Sequence, residues 1–310
     1  MLSKKRGIFF TVAAITLSVV IILSFSVYTE YRLKEKMNII ETRIITMNNF
    51  IKDIEEDLQK GVYIASFRAL LSMSQYTTSN GTFIDDVEET FNELFLDGTM
   101  NSQEVSLMTD STFTDWVEKI QQEADKIDII ANFTVNEVTI SQEQPWRIKV
   151  NADIDMEVKD KKQTSSWSIN KDIKTNISIV GLEDPLYVIN SYGRVINTIR
   201  ISPFEHFVIG SNIDNLLVQI NESYYITTNM SPTFLMRLEG NLVSSEIGIE
   251  SLVNLQEFKD QGLTTKDRSA VDYIYFGNQT TINRRINNTP SWFKLDEEHL
   301  SVYGVEDLVT

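Results

Sequence analysis

Residues Ile8 to Tyr28 read IFFTVAAITLSVVIILSFSVY, 21 positions without a charge. At a rise of about 1.5 Å per residue, a helix of this length covers roughly 30 Å, the thickness of a bilayer's hydrocarbon core. Its Ser and Thr hydroxyls can bond back to helix carbonyls and so are tolerated in lipid. Tyr28 and Tyr31 stand where an interfacial aromatic pair belongs. Lys4, Lys5 and Arg6 precede the stretch without an acid, while Arg32, Lys34 and Lys36 follow it among Glu30 and Glu35. The basic counts tie, and the compact N-terminal cluster favours an N-terminus left inside, with the bulk of the chain outside.

Outward from that stretch, apolar residues recur at Leu33, Met37, Ile40, Ile44, Met47, Ile51, Ile54, Leu58, Val62, Ala65 and Ala69. Steps of three and four make a near-heptad helical seam. No Pro occurs before Pro145, and Gly61 is the only Gly between Gly7 and Gly81. One helix is therefore expected from about Gly7 to Tyr76, roughly 100 Å long. The added apolar residues Ile39, Ile45, Phe50, Ile64, Phe67, Leu70 and Leu71 widen the stripe, which suits packing on the chain's own head better than a narrow two-stranded seam.

Three identities fit the apolar stretch. A cleaved secretory signal is disfavoured by the length of the stretch and its SFSVYTEYR ending. A plain signal anchor fits. The third rests on Lys4-Lys5-Arg6-Gly7 running directly into Ile8-Phe9-Phe10. This resembles the class III signal of type IV pilin-like proteins. The bacterial pattern carries Glu at the fifth mature position, where this chain has Val12, so the likeness is to the archaeal members. The resemblance covers residues 1–58. It implies cleavage between Gly7 and Ile8 by a prepilin-type peptidase that recognises Lys5, Arg6, Gly7 and Ile8. It also implies a retained helix that meets other pilin-like subunits and lies on an antiparallel sheet.

The head follows. Ser79-Asn80-Gly81 breaks the long helix; Phe83 to Phe95 reads as a second helix, Asn101 to Ser111 as a polar loop, and a third helix capped by Thr112 or Thr114 runs to about Ile130. The period then switches to two. From Trp146 to Val158 apolar and polar residues alternate without a lapse, after a strand over Phe133 to Ile140 and before one from Trp167 to Ile179. A meander of three strands facing the amphipathic helix is expected. Beyond Gly181-Leu182-Glu183-Asp184-Pro185 the pattern becomes mixed. Leu186 to Ile201 reads as strand with a turn at Tyr192-Gly193, Asn212 to Ile220 as a short helix, and Ser231-Pro232 as a helix start with Ser as its cap. The expected organisation is α+β: a basic leader (1–7), a membrane-spanning segment (8–28), an amphipathic helix (29–76), helices plus antiparallel sheet (77–181) and a C-terminal α+β region (182–310).

The net charge is −16, from 28 basic and 44 acidic residues, which argues against nucleic acid as a partner. The absence of cysteine excludes disulfides and thiolate chemistry. No G-x-S-x-G elbow and no phosphate-binding glycine loop is present. His206, among Phe204, Glu205 and Phe207, has the surroundings of a general base, but a partly buried loop histidine is the preferred reading. His299 follows Asp296-Glu297-Glu298; a solvated acidic face is preferred over a metal site. Asp153, Asp155 and Glu157 share a strand face with Lys149 and Lys159, so neutralisation is expected rather than calcium binding. Arg237 and Glu239 read as a surface ion pair. The aromatics at Tyr224-Tyr225 and Tyr273, Tyr275 and Phe276 read as strand-core packing. No catalytic, cofactor or metal residue is assigned. Sequons at Asn80, Asn132, Asn176, Asn221, Asn278 and Asn287 are candidate glycosylation sites on an outside face; an Asn229 sequon is weakened by Pro232. A non-enzymatic surface protein, a minor filament or tip subunit or an adhesion component, is the leading expectation. A monomeric membrane-tethered binding module is the alternative, and an ectoenzyme the least favoured.

Overall fold

A computed structural model describes residues 3–162 and 165–310, and the side chains of residues 3–8 lie outside that description. Helix α1 runs unbroken over Ser3–Asn80, 78 residues, longer at both ends than the periodicity predicts. The last turns are held by side chains as well: Thr77 and Thr78 donate their hydroxyls to the carbonyls of Ser74 and Gln75. Gly81, at φ +66°, takes the left-handed conformation that ends the helix. From Phe9 to Tyr28 every side chain is exposed, so this is a helix long and apolar enough to cross a membrane.

Helix α2 (Val87–Asp97) begins four residues later than the apolar pattern suggests, because Asp86 caps it by accepting from Glu89 N at 2.8 Å. A two-residue hairpin, β1 (Thr99–Met100) with β2 (Gln103–Glu104), replaces part of the expected loop. In α3 (Phe113–Lys126) Thr112 and Asp115 form a capping box. The helix stops short of Ile130 because Asp128 turns left-handed (φ +57°) and a strand starts at Ile129.

Strands β3 (Ile129–Gln144), β4 (Arg147–Asp160) and β5 (Ser166–Ser178) form an antiparallel sheet in the order β3-β4-β5. Strict alternation puts Ile148, Val150, Ala152, Ile154, Met156 and Val158 of β4 inside and their neighbours toward solvent. Lys159 to Gln163 read by composition as a polar turn; Lys159 and Asp160 instead extend β4, and Gln163 lies outside the described residues. One core joins Leu58, Val62, Ala65 and Ala69 of α1 to Phe91 and Phe95 of α2, Phe113 of α3 and the inner face of β4. A smaller cluster below it joins Met47, Ile51 and Ile54 to Ala124, Met156 and Val158. Gly61 is required where α3 crosses α1: a Cβ there would stand 2.8 Å from the Trp116 ring, whose Nε1 donates to Asp57 at 3.0 Å.

The remainder departs from expectation most. Leu186 to Ile201 is not a strand; Asp184 accepts from Leu186 N and Pro185 opens helix α4 (Pro185–Asn190), followed by a turn through Tyr192 and Gly193. Helix α5 (Asp214–Glu222) leads into β6 (Tyr225–Thr228), which pairs with β7 (Gly248–Ser251). Between them sits α6 (Phe234–Leu238), capped by Thr233 rather than Ser231. Ser231 is instead pressed on Gly248, where a Cβ would meet its carbonyl oxygen at 1.8 Å. Helices α7 (Leu255–Asp260) and α8 (Asp272–Phe276) and the hairpin β8 (Asn283–Arg285) with β9 (Lys294–Asp296) complete the chain. Their apolar residues form a second core around Tyr187, Leu216, Val253, Tyr273, Phe293 and Tyr303.

Candidate functional site

Two features stand out: the bare length of α1 and a set of charges sealed in the C-terminal half. Among the described residues nothing covers the seam of α1 before Met47. Leu33 is 57% exposed and Met37 68%, and Ile40 and Ile44 are also exposed, although the same stripe is fully buried from Met47 upward. A groove of about 520 Å³ lies where this free stalk meets the base of the sheet, lined among others by Ile39, Ile40, Arg43 and Asp160. Within this lining Arg43 pairs with Asp160 at 2.8 Å and donates to the Asp128 carbonyl. Lys5, Arg6, Gly7 and Ile8 lie in the backbone of α1; their side chains are outside the described residues.

Arg237 is not at the surface. It is fully buried in α6 and its guanidinium bridges Asp184 (2.6 Å) and Asp272 (3.0 Å). The same guanidinium donates to the Ile249 carbonyl. Asp184 also accepts from the Tyr225 hydroxyl at 2.8 Å, and Asp272 from both the backbone N and Oγ of Ser251. Burial pushes the Asp184 carboxyl up, against the pull of Arg237. Burial works against the guanidinium charge, and Asp184 and Asp272 more than offset it. Glu239, its expected partner, accepts instead from Val87 N at the start of α2.

A second set adjoins the first through β7 and α8. His299 is sealed, with Asp296 Oδ1 2.7 Å from Nδ1 and Glu250 Oε2 3.2 Å from Nε2. Asp296 further accepts from Ser269 Oγ, and Glu250 from the Tyr303 hydroxyl. The acidic triplet is thus not one solvated face: Asp296 turns inward, while Glu297 turns outward to Arg284. Burial alone would lower the His299 pKa, but its two carboxylates drive it up to about 10. Burial raises Glu250. Both ring nitrogens are occupied and no side-chain atom meets solvent, so the folded cluster offers no atom to a substrate.

The other candidates separate. His206 is exposed on a loop, more open than expected, and its carbonyl accepts from Asn215. On the outer face of the sheet, Asp153 and Asp155 accept hydrogen bonds from amides and are not paired with Lys149 or Lys159 as expected. Asn170 Nδ2 donates to both (2.6 and 2.9 Å), and Asn136, placed by a bulge in β3, donates to Asp155. Lys159 does pair with Glu157, whereas Lys149 reaches Glu143. Among the described residues no group of acids and histidines is arranged to hold a metal. Tyr225, Tyr273, Tyr275 and Phe276 are core residues, the last three on helix α8 and not a strand, and Tyr224 stacks under Arg200. The sequon residues Asn80, Asn132, Asn176, Asn221, Asn229, Asn278 and Asn287 are all exposed.

The residues missed by pattern are Asp184, Arg237, Glu250 and Asp272. Arg237, Glu250 and Asp272 are charges set in apolar runs, as in Phe234-Leu235-Met236-Arg237-Leu238 and Ile249-Glu250-Ser251-Leu252, whereas Asp184 stands in Glu183-Asp184-Pro185 and carries no such mark. Such an interruption signals a buried pair once no helical or strand period can place it outside. Set against protein-family models, curated proteins and solved structures, the chain matches none.

Proposed function

We propose that this is a pilin-like, single-pass surface protein of the archaeal kind, with its N-terminus cytoplasmic and its bulk outside the cell membrane. In this reading α1 anchors the chain in the bilayer, a prepilin-type peptidase cuts between Gly7 and Ile8, and the retained helix meets other pilin-like subunits. The head presents an acidic surface carrying sequons, as a minor filament or tip subunit or an adhesion component. The observation that carries it is the division of one continuous helix: an apolar length bare of protein, a free amphipathic stalk, and a last half built into the head.

Mass spectrometry of the mature N-terminus from the native host tests it. A chain that starts at Ile8 is expected, and Gly7→Leu should leave the leader in place. A mature protein that retains Met1 would replace this proposal with a plain tethered module. Release of the full chain into water without detergent would remove both.

A further inference from the structure

We propose that His299 is a permanently protonated lock of the C-terminal core, clamped between Asp296 and Glu250, and that raising the pH above neutral loosens this half of the head first. A neutral imidazole has one N–H and can satisfy one carboxylate; the other would face a bare lone pair. Here a carboxylate oxygen stands at each ring nitrogen, at 2.7 and 3.2 Å, with all three side chains at most 1% exposed. The imidazolium presents an N–H to each, whereas a neutral ring with its proton on Nδ1 would leave Nε2 to the Tyr273 hydroxyl and Glu250 Oε2 buried without a hydrogen bond.

The surroundings reinforce this. Glu250 arrives from β7, Asp296 from β9, Asp272 and Tyr273 from α8, and Tyr303 from the C-terminal turns; the Tyr273 hydroxyl lies 3.3 Å from His299 Nε2. The nearest other buried cation, Arg237, is already shared between Asp184 and Asp272. Four buried carboxylates therefore face two buried cations, and a sealed, low-dielectric site retains a proton under such an excess of negative charge.

The direction in pH follows from linkage. His299 is raised from 6.5 to about 10, so its contribution is complete below about 6.5 and is lost as the pH climbs toward 10. Glu250 is raised by burial and acts in the same direction. Asp296 is held below its ordinary value because His299 outweighs the effect of its burial, so it fails only in strong acid. The head is thus built to tolerate mild acid and to yield to alkali. None of this depends on processing at Gly7.

The chain has only two histidines, His206 exposed and His299 buried, so two imidazole signals are to be followed. Imidazole resonances of the full chain in detergent micelles, followed from pH 5.5 to 9, should show the His299 signal fixed at the imidazolium position. The melting temperature should fall by roughly 2–4 °C per pH unit above neutral. Glu250→Gln should bring the His299 transition down into the measured range and flatten that slope. If the variant does not fold, the wild-type resonances still decide. A His299 resonance that moves from the imidazolium to the neutral position within this range, or a melting temperature constant from pH 7 to 9, overturns the proposal.

Discussion

The two cores of this head are built on different physics. Where α1 meets the sheet the interior is apolar, and each buried residue has an exposed neighbour at helix or strand spacing: Leu58, Val62 and Ala65 on one side, Ile148, Val150 and Ile154 on the other. The C-terminal core has an equally aromatic interior, yet His299 and its carboxylates are sealed within it, and Arg237, from a helix whose Phe234 and Leu238 belong to the first core, ties the two together through Asp184 and Asp272. Apolar burial is non-directional and tolerates small adjustments. A buried ion pair is directional, and removing one member leaves a charge that nothing answers. The first arrangement follows from pattern alone. The second places the short elements α4, α6, β7 and α8 relative to one another, although none of them exceeds six residues.

The largest expected effect is therefore at Arg237. Arg237→Met should cost about 3–5 kcal/mol of stability, because Asp184 and Asp272 are left buried and unpaired. Adding Asp184→Asn and Asp272→Asn should recover a substantial part of that loss. Chemical denaturation of the three forms in detergent checks both halves; a cost below about 1 kcal/mol for the single change would erase the contrast between the cores. In the apolar core, Ile154→Ala should cost about 2–5 kcal/mol through lost burial and a residual cavity. Its effect should be independent of pH between 6 and 9, which separates it from substitutions around His299.

The same division explains what was legible in the sequence. The long helix, the strand from Arg147 to Asp160 and the capping residue Thr112 follow from residue spacing, because each element is long enough to show its period or carries a local signal. Leu186 to Ile201 misleads because Tyr187, Val188 and Ile189 have strand-forming side chains, and the Asp184-Pro185 start outweighs them. The Ser231-Pro232 start is displaced to Thr233 because Ser231 is needed against Gly248. Arg237 reads as exposed for a simpler reason: its partners lie 53 residues before it and 35 after it, beyond the reach of any local pattern. Long-range charge pairing is the information that spacing cannot carry.

A smaller effect is expected where α3 crosses the long helix. Gly61→Ala would drive a Cβ into the Trp116 ring, which is held by its bond to Asp57 and by stacking on Phe113. A loss of about 1–3 kcal/mol should appear in thermal melts, reduced in a Trp116→Leu background where the ring is gone.

The smallest effect belongs to the edge of the sheet. Strand β5 has a free edge, and Lys171, on its inward-facing row with Trp167 and Ile169, pairs with Glu55 of α1 at 2.9 Å. The pair is partly exposed, so Lys171→Ala should change the stability of the head by no more than about 1 kcal/mol. Its consequence should lie elsewhere. An inward-pointing lysine interrupts an otherwise apolar row and discourages the edge from pairing with another strand. Lys171→Val should leave the melting temperature nearly unchanged and increase concentration-dependent association, measured by light scattering in detergent. Equal association of the variant and the wild type would assign Lys171 to the contact with α1 alone.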